Sequence, residues 1–195
     1  MAKHKFDAEA VSRLEAQARK LHSTKRFAGA VDLLREALAA RLESQGGKHF
    51  QTINSRSGLA RSLRAVHRYD ECFALYAENI RVHRQKLGPD HPQTLRSLSR
   101  LANIYFAAGR YQDAEPMFRE ILSKRVQVPG RDHPDTLRSR SSLANTLAAL
   151  GRYDEAAELH EKIIEDRVRV LGPGDPRTEL SRKRLETARQ AEQIG

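Results

Sequence analysis

Gly109-Arg110-Tyr111-Gln112-Asp113-Ala114 returns 42 residues later as Gly151-Arg152-Tyr153-Asp154-Glu155-Ala156. The same step taken backward reaches His67-Arg68-Tyr69-Asp70-Glu71-Cys72 and then Lys25-Arg26-Phe27-Ala28-Gly29-Ala30. A second marker runs half a unit out of phase: Lys48-His49-Phe50-Gln51-Thr52, Asp90-His91-Pro92-Gln93-Thr94, Asp132-His133-Pro134-Asp135-Thr136 and Gly174-Asp175-Pro176-Arg177-Thr178. Two markers that share one period without slippage identify a tandem array, in which each repeat is one supersecondary unit.

Between the markers the apolar spacing is helical. Ala114, Met117, Phe118, Ile121, Leu122 and Val126 follow the i, i+3, i+4, i+7, i+8 rule of a helix with one buried face. Ala156, Leu159, Ile163, Ile164 and Val168 repeat it, as do Ala30, Leu33, Leu34, Ala37 and Leu38. Ahead of the marker, Leu98, Leu101, Ala102 and Tyr105 imply another helix, and so do Leu143, Ala144 and Leu147. Each unit is therefore a helix A, a tight turn and a helix B. Gly109 and Gly151 stand where helix A must end. Leu87-Gly88-Pro89-Asp90 and Leu171-Gly172-Pro173-Gly174 break the chain after helix B, and Asp90 and Asp132 are placed to cap the helix that follows. The prolines of Asp-His-Pro fall in a first helical turn, where no N–H is missed. The spacing predicts helix A at about 8–24, 50–66, 92–108 and 134–150, and helix B at about 27–45, 69–86, 111–128 and 153–170. A ninth helix, at about 176–192, starts like another unit and then turns polar, as a capping helix does.

Leu101-Ala102-Asn103-Ile104-Tyr105 followed by Gly109-Arg110-Tyr111-Gln112-Asp113-Ala114, with Leu-Gly-Pro-Asp-His-Pro ahead of a helix, resembles the tetratricopeptide repeat family in its 42-residue, kinesin-light-chain-like version. The resemblance covers nearly the whole chain; the first unit departs from it at Gln17 and Lys25. It implies an all-α fold, a right-handed α-α superhelix (a solenoid) of four helix-turn-helix repeats, about 8–45, 50–87, 92–129 and 134–171, plus the C-terminal capping helix, all in one array over 1–195. It further implies that A helices line a concave surface, so that A-helix positions away from helix B face a ligand. Those positions are Arg19 with His22, then Asn54, Ser57, Arg61 and Arg64, then Arg96, Ser99, Asn103 and Phe106, then Arg138, Ser141, Asn145 and Ala148. The matching asparagines of related repeats imply that Asn103 and Asn145 clamp the backbone of an extended peptide. Their side chains carry both donor and acceptor. The arginines pair with carboxylates, bidentately where geometry allows.

The chain has 195 residues, 39% of them hydrophobic, and a formal net charge of +10. Such a surface favours acidic partners. No run approaches the ~18–20 apolar residues of a membrane span, and no export signal follows the basic N-terminus. A lone cysteine, Cys72, fits a reducing compartment, so a cytoplasmic protein is expected. Cys72 occupies the column of Ala30, Ala114 and Ala156, which reads as a packing position and not a nucleophile. No His-x-x-x-His or Cys-x-x-Cys spacing points to a metal, and no phosphate loop or nucleophile elbow to catalysis, so no cofactor and no enzymatic role is expected. The leading expectation is a protein-interaction scaffold that binds an acidic or extended peptide segment of a partner in a basic concave groove. A nucleic-acid-associated accessory protein is the alternative from charge alone, and a ligand-sensing or enzymatic subunit using the groove as a pocket is the third. Few aromatics are free to stack on bases, because Tyr69, Tyr111 and Tyr153 are taken up in turn packing.

Overall fold

The computed structural model describes residues 7–194, and the described residues form α-helices with no strand. They are α1 (Ala8–Ser23), α2 (Phe27–Gln45), α3 (Phe50–Ala65), α4 (Tyr69–Leu87), α5 (Pro92–Ala107), α6 (Tyr111–Gln127), α7 (Pro134–Ala149), α8 (Tyr153–Leu171) and α9 (Pro176–Ile194). Each starts where the repeat places it and ends within two residues of the expected boundary. The chain divides between Ser97 and Leu98 into two compact units.

In the first unit α1 packs on α2, α2 on α3 and α3 on α4. Small residues let the backbones approach: Ala18, Ala30, Ala60 and Cys72 are fully buried. The Cys72 thiol donates to the carbonyl of Ala60 on the facing helix at 3.1 Å. In the second unit α6 packs on α7, α7 on α8 and α8 on α9. Phe118, Ile121, Leu147 and Ile163 are almost wholly enclosed there. Val126 is a correction to the periodic reading. It is 42% exposed, because the apolar stripe of α6 ends one turn before the helix does.

The A-to-B turn needs a left-handed residue at its apex. Gly109 and Gly151 supply it at φ of 73° and 76°, while Lys25 and His67 take φ of 60° and 59° without the benefit of glycine. That conformation costs an ordinary residue about 1–2 kcal/mol.

The connector into each A helix works differently from the expectation. Histidines cap these helices, and before α7 the cap is His133 and not Asp132: Nδ1 of His49, His91 and His133 accepts the backbone N–H two residues on, at 3.1–3.2 Å. Asp175 takes that place before α9, its Oδ1 accepting from the Arg177 N–H at 2.8 Å. Asp132 instead pairs with Arg169. The threonine of the same marker is buried in every copy. Thr94, Thr136 and Thr178 donate to the carbonyls of Gly88, Gly130 and Gly172, fastening the loop that ends helix B to the helix that follows.

Candidate functional site

In the first unit, Arg19 on α1, Asn54, Arg61 and Arg64 on α3, and Arg96 at the start of α5 are all exposed. Ser55, Ser62 and Leu63 point the other way and are buried, so α3 presents one polar edge and one packed edge. Burial first, and then the charges of Arg61 and Arg64, hold the His22 imidazole below its ordinary pKa. His22 is held by an edge-on contact with Phe27, ring centroids 4.9 Å apart, and lies 3.4 Å from the Ser62 hydroxyl. Arg19 lies one turn before His22 on α1. Among the described residues no carboxylate reaches Arg19, Arg61 or Arg64 within ion-pair distance, whereas most exposed arginines on the B helices are paired, as Arg35 is with Glu71 and Arg119 with Glu115 and Glu155. Arg96 donates to Gln93 of its own helix.

In the second unit Asn103 and Arg138 are exposed, and Ser99, Phe106 and Asn145 are half-buried. Asn103 donates to the Ser99 carbonyl at 2.6 Å. Phe106 is tilted against Tyr111 with centroids 5.1 Å apart. Arg138 pairs with Asp135 at 2.8 Å. Ser141 departs from the expectation that this column avoids helix B. It is 9% exposed, donates to the Leu137 carbonyl and accepts from Arg167 of α8, so a B-helix cation covers it.

That cation belongs to a column absent from the sequence reading. Arg41, His83, Arg125 and Arg167 recur at the repeat period on the B helices. Each reaches the next A helix. Arg41 Nη1 donates to Gln51 Oε1 at 2.7 Å, and His83 Nδ1 lies 3.0 Å from the Ser97 hydroxyl. Arg125 donates to Ser139 at 2.6 Å, and Arg167 to Ser181 at 2.6 Å. Ser55, Ser97, Ser139 and Ser181 form a matching buried column. The signal was present in the sequence as a second charged register at the same period. Apolar periodicity does not detect it, since charged residues are almost never fully buried unless paired.

Cys72 is enclosed, and burial, followed by the neighbouring Glu71 charge, pushes its thiol up to about 11, so it stays protonated. No group of three His, Cys, Asp or Glu side chains gathers to hold a metal among the described residues. His160 is 2% exposed in the column of Leu34, Tyr76 and Phe118, with its Nδ1 buried and unbonded. Burial, helped by Arg184 and Arg167, pushes its imidazole down to about 4. A base with a lowered folded pKa is neutral in the fold and takes up its proton on unfolding, so stability is lost as pH falls from about 6.5 toward 4. The expected loss is on the order of 1–3 kcal/mol. His160→Leu, which copies the first repeat, should remove that acid loss and raise the Tm at pH 5. Thermal melts across this range check it; an unchanged acid limb in the variant contradicts the assignment.

The sequence matches the tetratricopeptide repeat family over residues 54–125 and again over 98–167, which together span more than half of the chain. The chain belongs to the tetratricopeptide repeat family. Its fold class is the all-α superhelix of that family, and repeats of this family generally mediate protein–protein interaction and are typically non-enzymatic. Among solved structures it is similar to the nearly identical TPR-like repeats of a Podosopora anserina protein assigned as a kinesin light chain. The identity is 26%, the alignment covers 94% of this chain and 87% of that one, and the TM-score is 0.83 for a Q17M form and 0.82 for a second structure. BtubC from P. vanneervenii shares the fold at 16% identity and a TM-score of 0.75, over 87% of this tetratricopeptide chain and 68% of the other. A search of curated proteins gave no match. No described helix of this repeat protein is long and apolar enough to cross a membrane.

Proposed function

We propose that this chain is a protein-interaction module that holds an acidic, extended peptide segment of a partner on the exposed faces of its A helices. The observation that carries the reading is the set of Arg19, Arg61 and Arg64 in the first unit, solvent-facing and, among the described residues, with no carboxylate within ion-pair distance. After burial, the charges of Arg61 and Arg64 also act on His22. Cations left unpaired on one face, while the B-helix surface is laced with internal ion pairs, are available to a ligand's carboxylates. Asn54 extends this face, and in the second unit Asn103, Asn145 and Arg138 offer the amide and guanidinium groups that suit an extended backbone and its side chains. Ser141 is left out of the face because α8 covers it. A peptide is favoured over nucleic acid because the aromatic rings near the face are engaged in turn packing, as Phe106 is with Tyr111.

Fluorescently labelled hexaglutamate is the probe, read by anisotropy. Wild type should bind it, and the affinity should fall as salt rises, since exposed pairs are screened over about 8 Å at physiological ionic strength. Arg61→Glu with Arg64→Glu should weaken binding about tenfold or more while leaving helicity unchanged. Arg119→Glu with Lys162→Glu, on B helices, should change it far less. Binding that survives the first pair and is lost in the second overturns the reading, as does tighter binding of a single-stranded oligonucleotide of equal charge.

A further inference from the structure

The repeats of this chain use one arginine position in two different ways, and the difference identifies a ligand seat. In the first repeat, Arg41 turns one edge of its guanidinium to a carboxylate: Nε donates to Glu15 Oε1 at 3.0 Å and Nη2 to Glu15 Oε2 at 3.0 Å, a bidentate fork. Ser55 also donates to Glu15 Oε1, at 2.5 Å. The remaining nitrogen, Nη1, reaches the next A helix at Gln51. Burial first, then the bonds from Arg41 and Ser55 that outweigh it, leave the Glu15 carboxyl below its ordinary pKa, so this carboxylate is charged where it sits.

The fourth repeat carries the same arginine, Arg167, and the same serine, Ser181, three repeat periods on from their counterparts. Its Nη1 again reaches the next A helix, donating to the Arg177 carbonyl and to Ser181, each at 2.6 Å. The residue in the place of Glu15, however, is Ser141. A serine side chain stops well short of where a glutamate carboxylate lies. Nη2 meets only the Ser141 hydroxyl, at 3.1 Å, and among the described residues no carboxylate lies within ion-pair distance of Arg167. The site is strongly cationic: burial, then Arg184 and Arg177, weigh against the charge of Arg167, and the nearby Asp175 is held by Arg177. A half-buried guanidinium with further cations around it and no counter-ion is costly unless a partner supplies one.

We propose that the Nε/Nη2 edge of Arg167, with the Ser181 hydroxyl beside it, seats a carboxylate of an acidic peptide, and that Glu15 is the same scaffold carrying its own occupant. The seat rests on the acidic-peptide reading and deepens it with a half-buried B-helix arginine in the second unit. Arg125 of the third repeat, bound through Nη1 to Ser139 and the Asp135 carbonyl, repeats the arrangement one unit earlier, with Ser99 in the glutamate position.

Ser141→Glu tests it by building in the occupant of the first repeat. The full-length variant should melt at a higher temperature than wild type and bind hexaglutamate about tenfold more weakly, the effect of losing one charge-assisted fork. A second readout does not depend on a peptide: the Arg167 Nε–Hε resonance of labelled protein, titrated with sodium acetate against matched sodium chloride, should shift in wild type and stay fixed in Ser141→Glu. If hexaglutamate binds and Ser141→Glu binds it equally well, the seat is wrong and the exposed-face reading stands. If hexaglutamate does not bind at all but acetate moves the Arg167 resonance in wild type alone, the seat stands and the peptide reading fails. An Arg167 resonance that is indifferent to acetate overturns the seat.

Discussion

Asp166→Ala is expected to remove about 3–5 kcal/mol of stability, the usual cost of orphaning a buried charge. Asp166 is fully enclosed on α8 and gathers three arginines: Arg131 at 2.6 Å, Arg169 at 2.7 Å, and Arg140 of α7, which is itself 8% exposed. Without the carboxylate, Arg140 stays buried with no counter-ion. The first repeat shows how to relieve that cost, since Leu14 and Ala40 occupy the places of Arg140 and Asp166. Arg140→Leu combined with Asp166→Ala should therefore recover much of the loss, because an ion pair replaced as a whole by apolar groups is often neutral. Burial opposes the ionisation of Asp166, and the bonds from Arg131, Arg140 and Arg169 outweigh it, so its pKa lies below the ordinary 3.8. The sign follows for an acid: the stabilisation is fully present above that value and is lost as pH falls through the lowered one. Urea unfolding of the single and double variants at neutral pH checks the energetics. A single variant within 1 kcal/mol of wild type (a threshold well below the ~3 kcal/mol minimum) contradicts the account.

Ile121→Ala should cost about 2–5 kcal/mol, and Leu122→Ala only about 1–2 kcal/mol. Both belong to the apolar pattern of α6, but the fold treats them unequally. Ile121 is fully enclosed, so truncation leaves a cavity that close-packed neighbours fill poorly, whereas Leu122 is half exposed and water can follow it. In a repeat array each hairpin is stabilised mainly by its neighbours, so a cavity at an internal interface weakens the contact on which the adjacent unit depends. Equal costs at the two positions would show that α6 is rotated from the face described. Denaturant midpoints with unchanged slopes provide the measurement.

The inequality between Ile121 and Leu122 marks where sequence reading runs out. The helices were legible because their boundaries are written twice, in apolar spacing and in Pro and Gly punctuation, so that Pro92, Pro134 and Pro176 each open a helix at the expected residue. The caps were not, because Asp-His-Pro offers two acceptors. Aspartate is the stronger general capping residue, yet register gives the histidine the position beside the free N–H, and Asp132 is drawn away to Arg169. Of the expected face, Arg19, Asn54, Arg61, Arg64, Arg96, Asn103 and Arg138 lie exposed. Ser141 does not, for a reason that no pattern on its own helix contains: Arg167 reaches it from α8. The arginine column is not legible from apolar patterning because a charged residue is read as surface by default; the recurrence of arginine at 41, 125 and 167 with serines at 55, 139 and 181 is the sign that these side chains, buried at 41 and 125 and half-buried at 167, are built into the packing.

The central claim is that an acidic peptide lies on the A-helix faces, and backbone amide shifts of isotope-labelled protein titrated with hexaglutamate test it most directly. The account predicts shifts concentrated on α1, α3, α5 and α7, around Arg19, Arg61, Arg64, Arg96 and Arg138, that fade as salt is added. Shifts concentrated instead around Arg119 and Lys162 on α6 and α8, with the A helices unmoved, would contradict it.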